Sequence, residues 1–259
     1  MDDFSLGMLA FLIICGFAAA FIDSAVGGGG LISIPALLFT GLPPSIALGT
    51  NKLAATMGSL TSTISFLSSG KVNKKLVLKL LPLSIIGSAI GVYVVHLIPA
   101  DFLNKLVLVM LILVTVYTIF KKDWGAKSKF KKLSTKMMIF IATAAFILGF
   151  YDGVLGAGVG SFLIFSFLFL GFDFVEAAGN AKALNFTSNI TSLIIFIIFG
   201  SVNFRYGIPM GLAMVLGAFI GSKMAIKTGV AYVKVLFIAI TVVLIGKNIW
   251  TYMQRIHIF

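Results

Sequence analysis

Displaced by 130 residues, the first half of this sequence falls on the second, and the positions that agree are polar as well as apolar. Ala47, Gly49 and Lys52 meet Ala177, Gly179 and Lys182, and Thr61-Ser62, Ile64 and Phe66 meet Thr191-Ser192, Ile194 and Phe196. The match runs on through Gly70, Val72 and Asn73 onto Gly200, Val202 and Asn203, then through Gly87, Ile90 and Gly91 onto Gly217, Ile220 and Gly221. With a one-residue adjustment, Asp23, Gly27 and Gly29 fall on Asp152, Gly156 and Gly158. Shared greasiness would align Leu with Ile, but not Lys with Lys or Asp with Asp. The chain is an internal duplication, so its fold is two copies of one unit packed together.

Each copy is apolar. Of the 259 residues, 59% are hydrophobic and 11% charged, with mean hydropathy +1.12, against roughly 25% charged in a soluble domain. Apolar runs at 4–23, 31–42, 45–68, 76–98 and 102–120 are followed by others at 136–151, 160–172, 175–200, 207–226 and 232–252. Several reach the ~20 residues that span a bilayer core. The expected architecture is an all-α polytopic transmembrane helical bundle with about five segments per half. Residues 1–120 form the first repeat, 121–135 a basic cytoplasmic linker and 136–259 the second repeat.

The net charge of +12 sits between apolar runs. Lys121, Lys122, Lys127, Lys129, Lys131, Lys132 and Lys136 crowd the central gap, and Lys71, Lys74, Lys75 and Lys79 crowd an earlier one. Cytoplasmic loops and anionic lipid explain such runs, and no nucleic-acid-binding motif accompanies them. An odd number of segments per half inverts the second copy, and the lysines agree. Loops near 70–79 and 223–234 carry four and three lysines, while their repeat mates near 201–209 and 96–105 carry only Arg205 and Lys105. The positive-inside rule then makes this an inverted repeat in the cell membrane, with both termini extracytoplasmic. Asp2 and Asp3 fit that placement; Lys247 and Arg255 fit it less well.

Inverted repeats are common in secondary transporters, whose binding sites lie where short, Gly-interrupted segments occupy matching places in both halves. Residues 31–42 and 160–172 are such segments, each at a glycine cluster: Gly27-Gly28-Gly29-Gly30 in one half, Gly156, Gly158 and Gly160 in the other. Successive glycines cost a helix about 1 kcal/mol each against Ala, so breaks are expected there. A helix starting at a break presents free N–H groups and a positive dipole end to an anion. Close helix packing through small residues is the competing explanation.

Lys52 and Lys182 lie about eight residues inside long apolar segments. At helical spacing Lys52 shares a face with Thr56, Ser59 and Thr63, and Lys182 shares one with Asn185, Asn189 and Ser192. These stripes should face each other, since an unpaired charge toward lipid costs several kcal/mol. Asp23 and Asp152 are also repeat mates near membrane depth. They either neutralise the lysines as structural ion pairs, or orient them around a small anionic substrate and carry a coupling proton.

Little else in the sequence carries chemistry. Cys15, the one cysteine, reads as a small core residue, and His96 and His257 lie at unmatched segment ends. No cluster has metal-ligand spacing, so no metal, cofactor or enzymatic activity is expected. The acidic start, Met1-Asp2-Asp3, lacks the positive charge of a cleaved signal, so the first apolar run should stay in the membrane. Nothing assigns an oligomeric state.

The stretch Asp23…Gly27–Gly30, Pro35 and Gly49-Thr50-Asn51-Lys52 resembles the opening signature of the sulfite exporter TauE/SafE family of membrane permeases. The second half repeats it as Asp152-Gly153-Val154-Leu155-Gly156-Ala157-Gly158 and Gly179-Asn180-Ala181-Lys182. The resemblance implies carriage, export foremost, of sulfite, organosulfonates or related small acids driven by an ion gradient, with protons as candidate coupling ion. A carboxylate transporter and an anion channel are the alternatives. The expected binding residues are Gly27, Gly28, Gly29, Gly30, Asn51, Lys52, Thr56, Ser59, Gly156, Gly158, Asn180, Lys182, Asn185 and Asn189. Ala157 and Ala181 stand where the first half has Gly28 and Asn51, so the two half-sites should be unequal.

Overall fold

The computed structural model describes residues 6–120 and 134–228. They form nine helices: α1 (Leu6–Val26), α2 (Gly30–Phe39), α3 (Pro44–Ser68), α4 (Lys74–Leu97), α5 (Ala100–Phe120), α6 (Thr135–Val154), α7 (Val159–Phe169), α8 (Phe174–Ile198) and α9 (Phe204–Thr228). The protein is an all-α polytopic membrane protein. The expected segment 232–252, most of the basic linker and both chain ends lie outside the described residues.

Helix starts follow local chemistry. Pro43-Pro44 opens α3, where a missing N–H costs nothing. The Asn73 side chain accepts from the Leu76 amide at 3.1 Å to cap α4, and Asp173 with Glu176 forms a capping box on α8. Among the described residues, five helices (α1, α4, α6, α8 and α9) are long and apolar enough to cross a membrane. Ile85, Ile147, Ile198 and Leu216 are exposed along such helices, as lipid-facing residues would be. The 25-residue α3 is not among the five, because hydroxyls and Lys52 occupy its inner face.

The first apolar run continues past its expected end at residue 23. Ser24-Ala25-Val26 is helical, which sets Asp23 inside the last turn of α1. The break is also narrower than four glycines. Only Gly27 and Gly28 take positive φ, whereas Gly29 is right-handed and Gly30 already belongs to α2. Short segments of 12 and 13 residues were expected; α2 and α7 have 10 and 11. Each short helix folds back along its long predecessor. Phe11 meets Phe39 with ring centroids 5.5 Å apart, and their mates Phe140 and Phe169 lie 5.0 Å apart. Each half thus contributes a re-entrant helical hairpin whose tip is the glycine break.

The halves interlock. Helix α1 packs on α9 as its mate α6 packs on α4, and α3 packs on α9 as α8 packs on α4. A Cβ on Gly49, near the start of α3, would strike the Ser201 carbonyl just past the end of α8. A Cβ on Gly179, near the start of α8, would likewise strike the Lys71 carbonyl past the end of α3. Helices α3 and α8, which match in sequence, therefore run antiparallel. The hydroxyl of Thr63 on α3 donates to the Lys182 carbonyl of α8 at 3.1 Å where the two cross.

Candidate functional site

The two hairpin tips meet in the middle of the protein. Gly27 sits at φ +78°, a left-handed conformation that only glycine adopts cheaply. A Cβ there would also overlap the backbone of Gly160 and Ser161 from the opposite hairpin. The Ser161 hydroxyl closes the contact by donating to the Val26 carbonyl at 3.0 Å. The amides of Gly30 and Gly160, at the starts of the two short helices, have no hydrogen-bond acceptor among the described residues. Both glycines line a shared cavity.

Flanking the tips are two lysine–aspartate pairs, each joining one half to the other. Lys52 Nζ of α3 lies 2.7 Å from Asp152 Oδ1 of α6, with both side chains 2% exposed. Asn189 Oδ1 accepts from the same ammonium at 3.0 Å. The other Asp152 oxygen accepts from the Ser188 hydroxyl, and from Asn185 Nδ2 at 3.4 Å. Lys182 Nζ of α8 lies 2.6 Å from Asp23 Oδ2 of α1. The remaining Asp23 oxygen accepts from the Gly29 amide at 3.0 Å. Lys182 is fully buried, but the Asp23 side chain is 23% exposed. Buried charges persist only when paired and hydrogen-bonded, and both pairs meet that condition. Gly156, at φ +81°, is a second position that requires glycine: a Cβ would lie 2.6 Å from Asp152 Oδ1 and 2.8 Å from Lys52 Nζ.

Between the pairs lies a cavity of about 30 Å³. Ten expected residues line it: Asp23, Gly29, Gly30, Asn51, Lys52, Ser59, Asp152, Gly156, Asn185 and Asn189. Six others do not. Gly27, Gly28 and Gly158 shape the tips instead. Thr56 turns to its own helix and donates to the Lys52 carbonyl at 2.6 Å. Lys182 stands behind Asp23. Asn180 is drawn to the helix end, where its Oδ1 accepts from the Asn73 amide at 2.7 Å. Its counterpart in the first half is Thr50, which accepts from the Asn203 amide at 2.9 Å. These two bonds fasten the start of α4 to α8 and the start of α9 to α3.

Several participants escaped the sequence pattern. Ser33 donates to Asn51 Oδ1 at 2.6 Å, and Ser62 completes the α3 wall. Ser188 sits three residues beyond Asn185, a helical neighbour whose spacing could have flagged it. Met214 reaches the cavity from α9, and Gly160, at the end of the second glycine cluster, also lines it. Nothing in the apolar pattern of α9 marked Met214. Two lysines against two aspartates make the centre electrically balanced. Among the described residues, no group of three or more His, Cys, Asp or Glu side chains could hold a metal.

The sulfite exporter TauE/SafE family profile matches residues 12–248, nearly the whole chain. The chain belongs to the sulfite exporter TauE/SafE family. Similar curated proteins include a probable membrane transporter protein, ORF9, of Sinorhizobium, 38% identical over 94% of this chain and 93% of that one. A probable membrane transporter protein of Haemophilus influenzae is 35% identical over 96% and 97% of the two chains. The probable membrane transporter protein YfcA of Escherichia coli is 33% identical over 94% and 90%. No solved structure matches. The TauE/SafE assignment makes the chain a membrane transporter rather than an enzyme. The two lysine–aspartate pairs and facing glycine tips are thus features of a TauE/SafE protein.

Proposed function

We propose that the protein is a secondary transporter of small sulfur-containing oxyanions, sulfite and organosulfonates, that binds anion and proton together at the centre of the inverted repeat. The observation that carries this reading is the unequal pair of cross-repeat salt bridges around one cavity. With both carboxylates ionised the centre is neutral and holds no anion. Asp152 is sealed and takes three side-chain donors, from Lys52, Ser188 and Asn185. Asp23 takes two donors and is partly exposed, so it is the carboxylate a proton reaches. Protonation of Asp23 releases the Lys182 ammonium and leaves the centre with one net positive charge. An oxyanion then binds between Lys182, Lys52 and the unpartnered amides of Gly30 and Gly160.

Alternating access follows from rocking one half against the other around this fixed point. The lysine-rich end, where the last turns of α3 and α9 meet, faces the cytoplasm, and the membrane is the plasma membrane. Reconstituted protein tests the reading through sulfite flux with and without an imposed pH gradient. Flux should rise when the acid side is the sulfite side. In the Asp23→Asn variant, binding should lose its dependence on pH. Currents far above carrier turnover and indifferent to the gradient would instead mean a channel.

A further inference from the structure

The last turns of α3 and α9 form a groove of about 440 Å³ on the outer surface of the bundle, away from the central cavity. Its two sides differ in chemistry. Ile64 and Phe219, exposed by 57% and 45%, supply apolar walls. Ser65, Ser68 and Ser69 end α3 on one side, and Lys223 and Lys227 end α9 on the other. The lysines are four residues apart on one helical face, where like charges repel. The two salt bridges among the described residues are both in the core, so neither lysine has a carboxylate partner there. Lys223 is held over the Phe219 ring, 4.0 Å from its centroid.

We infer that this groove binds the phosphodiester head group of an anionic phospholipid. The phosphate sits between Lys223 and Lys227 and accepts from the serine hydroxyls, while acyl chains lie along Ile64 and Phe219. Free phosphate matches the lysines equally well, but it leaves the apolar walls uncovered in a groove several times its size. Basic pockets between transmembrane helices at the lysine-rich end are where such head groups collect. The site is separate from the transport centre and does not depend on what that centre carries.

The test is thermal unfolding of the purified full chain in detergent, with added phosphatidylglycerol, phosphatidylcholine or inorganic phosphate. Phosphatidylglycerol near ten times its Kd should raise the melting temperature by about 3–6 °C; the other two should not. The Lys223→Gln/Lys227→Gln protein should lose that shift while melting normally in phosphatidylcholine. Lys223→Arg/Lys227→Arg should keep it, as should Lys74→Gln/Lys75→Gln, whose lysines lie at the same end but outside the groove. An equal shift with inorganic phosphate would assign the lysines to a free oxyanion and overturn the lipid site. So would a phosphatidylglycerol shift that survives in Lys223→Gln/Lys227→Gln, or its absence from the unmodified protein.

Discussion

Lys52→Met isolates what the sealed ion pair contributes. The substitution leaves the Asp152 carboxylate at 2% exposure without its cation, and Asn189 without its donor. Breaking a buried pair from one side costs about 3–5 kcal/mol. Ser188 and Asn185 still bond the carboxylate, so the lower half of that range is expected. At about 2–4 °C per kcal/mol, the melting temperature should fall by roughly 6–16 °C. Replacing both members, Lys52→Met with Asp152→Leu, removes the stranded charge. Two side-chain donors, Ser188 and Asn185, then lack their acceptor at a cost of about 1 kcal/mol each. The double variant should therefore be more stable than the single by about 1–2 kcal/mol. Cys15 provides the assay: it is the single cysteine, it is 7% exposed in α1, and a thiol-reactive dye reaches it on unfolding. A Lys52→Met protein melting within about 2 °C of the parent would refute the argument, as would a double variant no more stable than the single.

Lys182→Met should be milder, because it strands the partly exposed Asp23 rather than a sealed carboxylate. It should abolish sulfite binding by calorimetry while leaving a cooperative melt. Gly27→Ala combines a positive φ with a Cβ inside the Gly160–Ser161 backbone. Strain alone is worth about 1–3 kcal/mol, and the clash adds to it, so folded yield on size-exclusion chromatography should collapse. Asn73→Ala removes the α4 cap far from the cavity, and should lower stability by about 1 kcal/mol without changing sulfite affinity.

The matched halves were legible in the sequence because they depend on residue identity and spacing. Lys52 and Lys182 stood out as charges inside apolar runs, and Asp23 and Asp152 as their only acidic company at that depth. The pairing itself was not legible. That Lys52 meets Asp152 and Lys182 meets Asp23, each across the repeat boundary, depends on α3 and α8 crossing antiparallel. Helical spacing grouped Asn185 and Asn189 with Lys182, yet both serve the other pair, bonding Asp152 and Lys52. A residue three or four positions on shares a face, but the partner of that face is set by tertiary packing. Asn180 misled for a related reason: it stands next to the motif lysine pair, while its side chain is spent on the amide of Asn73 at the start of another helix.

The crossing of the pairs bears directly on coupling. Asp23 on α1 holds α8, and Asp152 on α6 holds α3, so each bridge ties one half of the duplication to the other. A motion of half against half must shear both bridges. With both formed and the centre neutral, that shear separates buried opposite charges, which in a low-dielectric setting costs several kcal/mol. On the proposed reading, a proton on Asp23 removes one bridge, and the bound oxyanion supplies a movable counter-charge for Lys182. Either ligand alone leaves an unpaired charge: protonation without anion strands a buried lysine, and anion without proton adds a negative charge to a balanced site. For a monovalent oxyanion, a sulfonate or hydrogensulfite, the empty and the doubly occupied states are then the ones that keep the centre neutral, and of these only the second has lost a bridge. Tight coupling of proton to anion would thus arise from charge balance at one lopsided centre, without a separate gate.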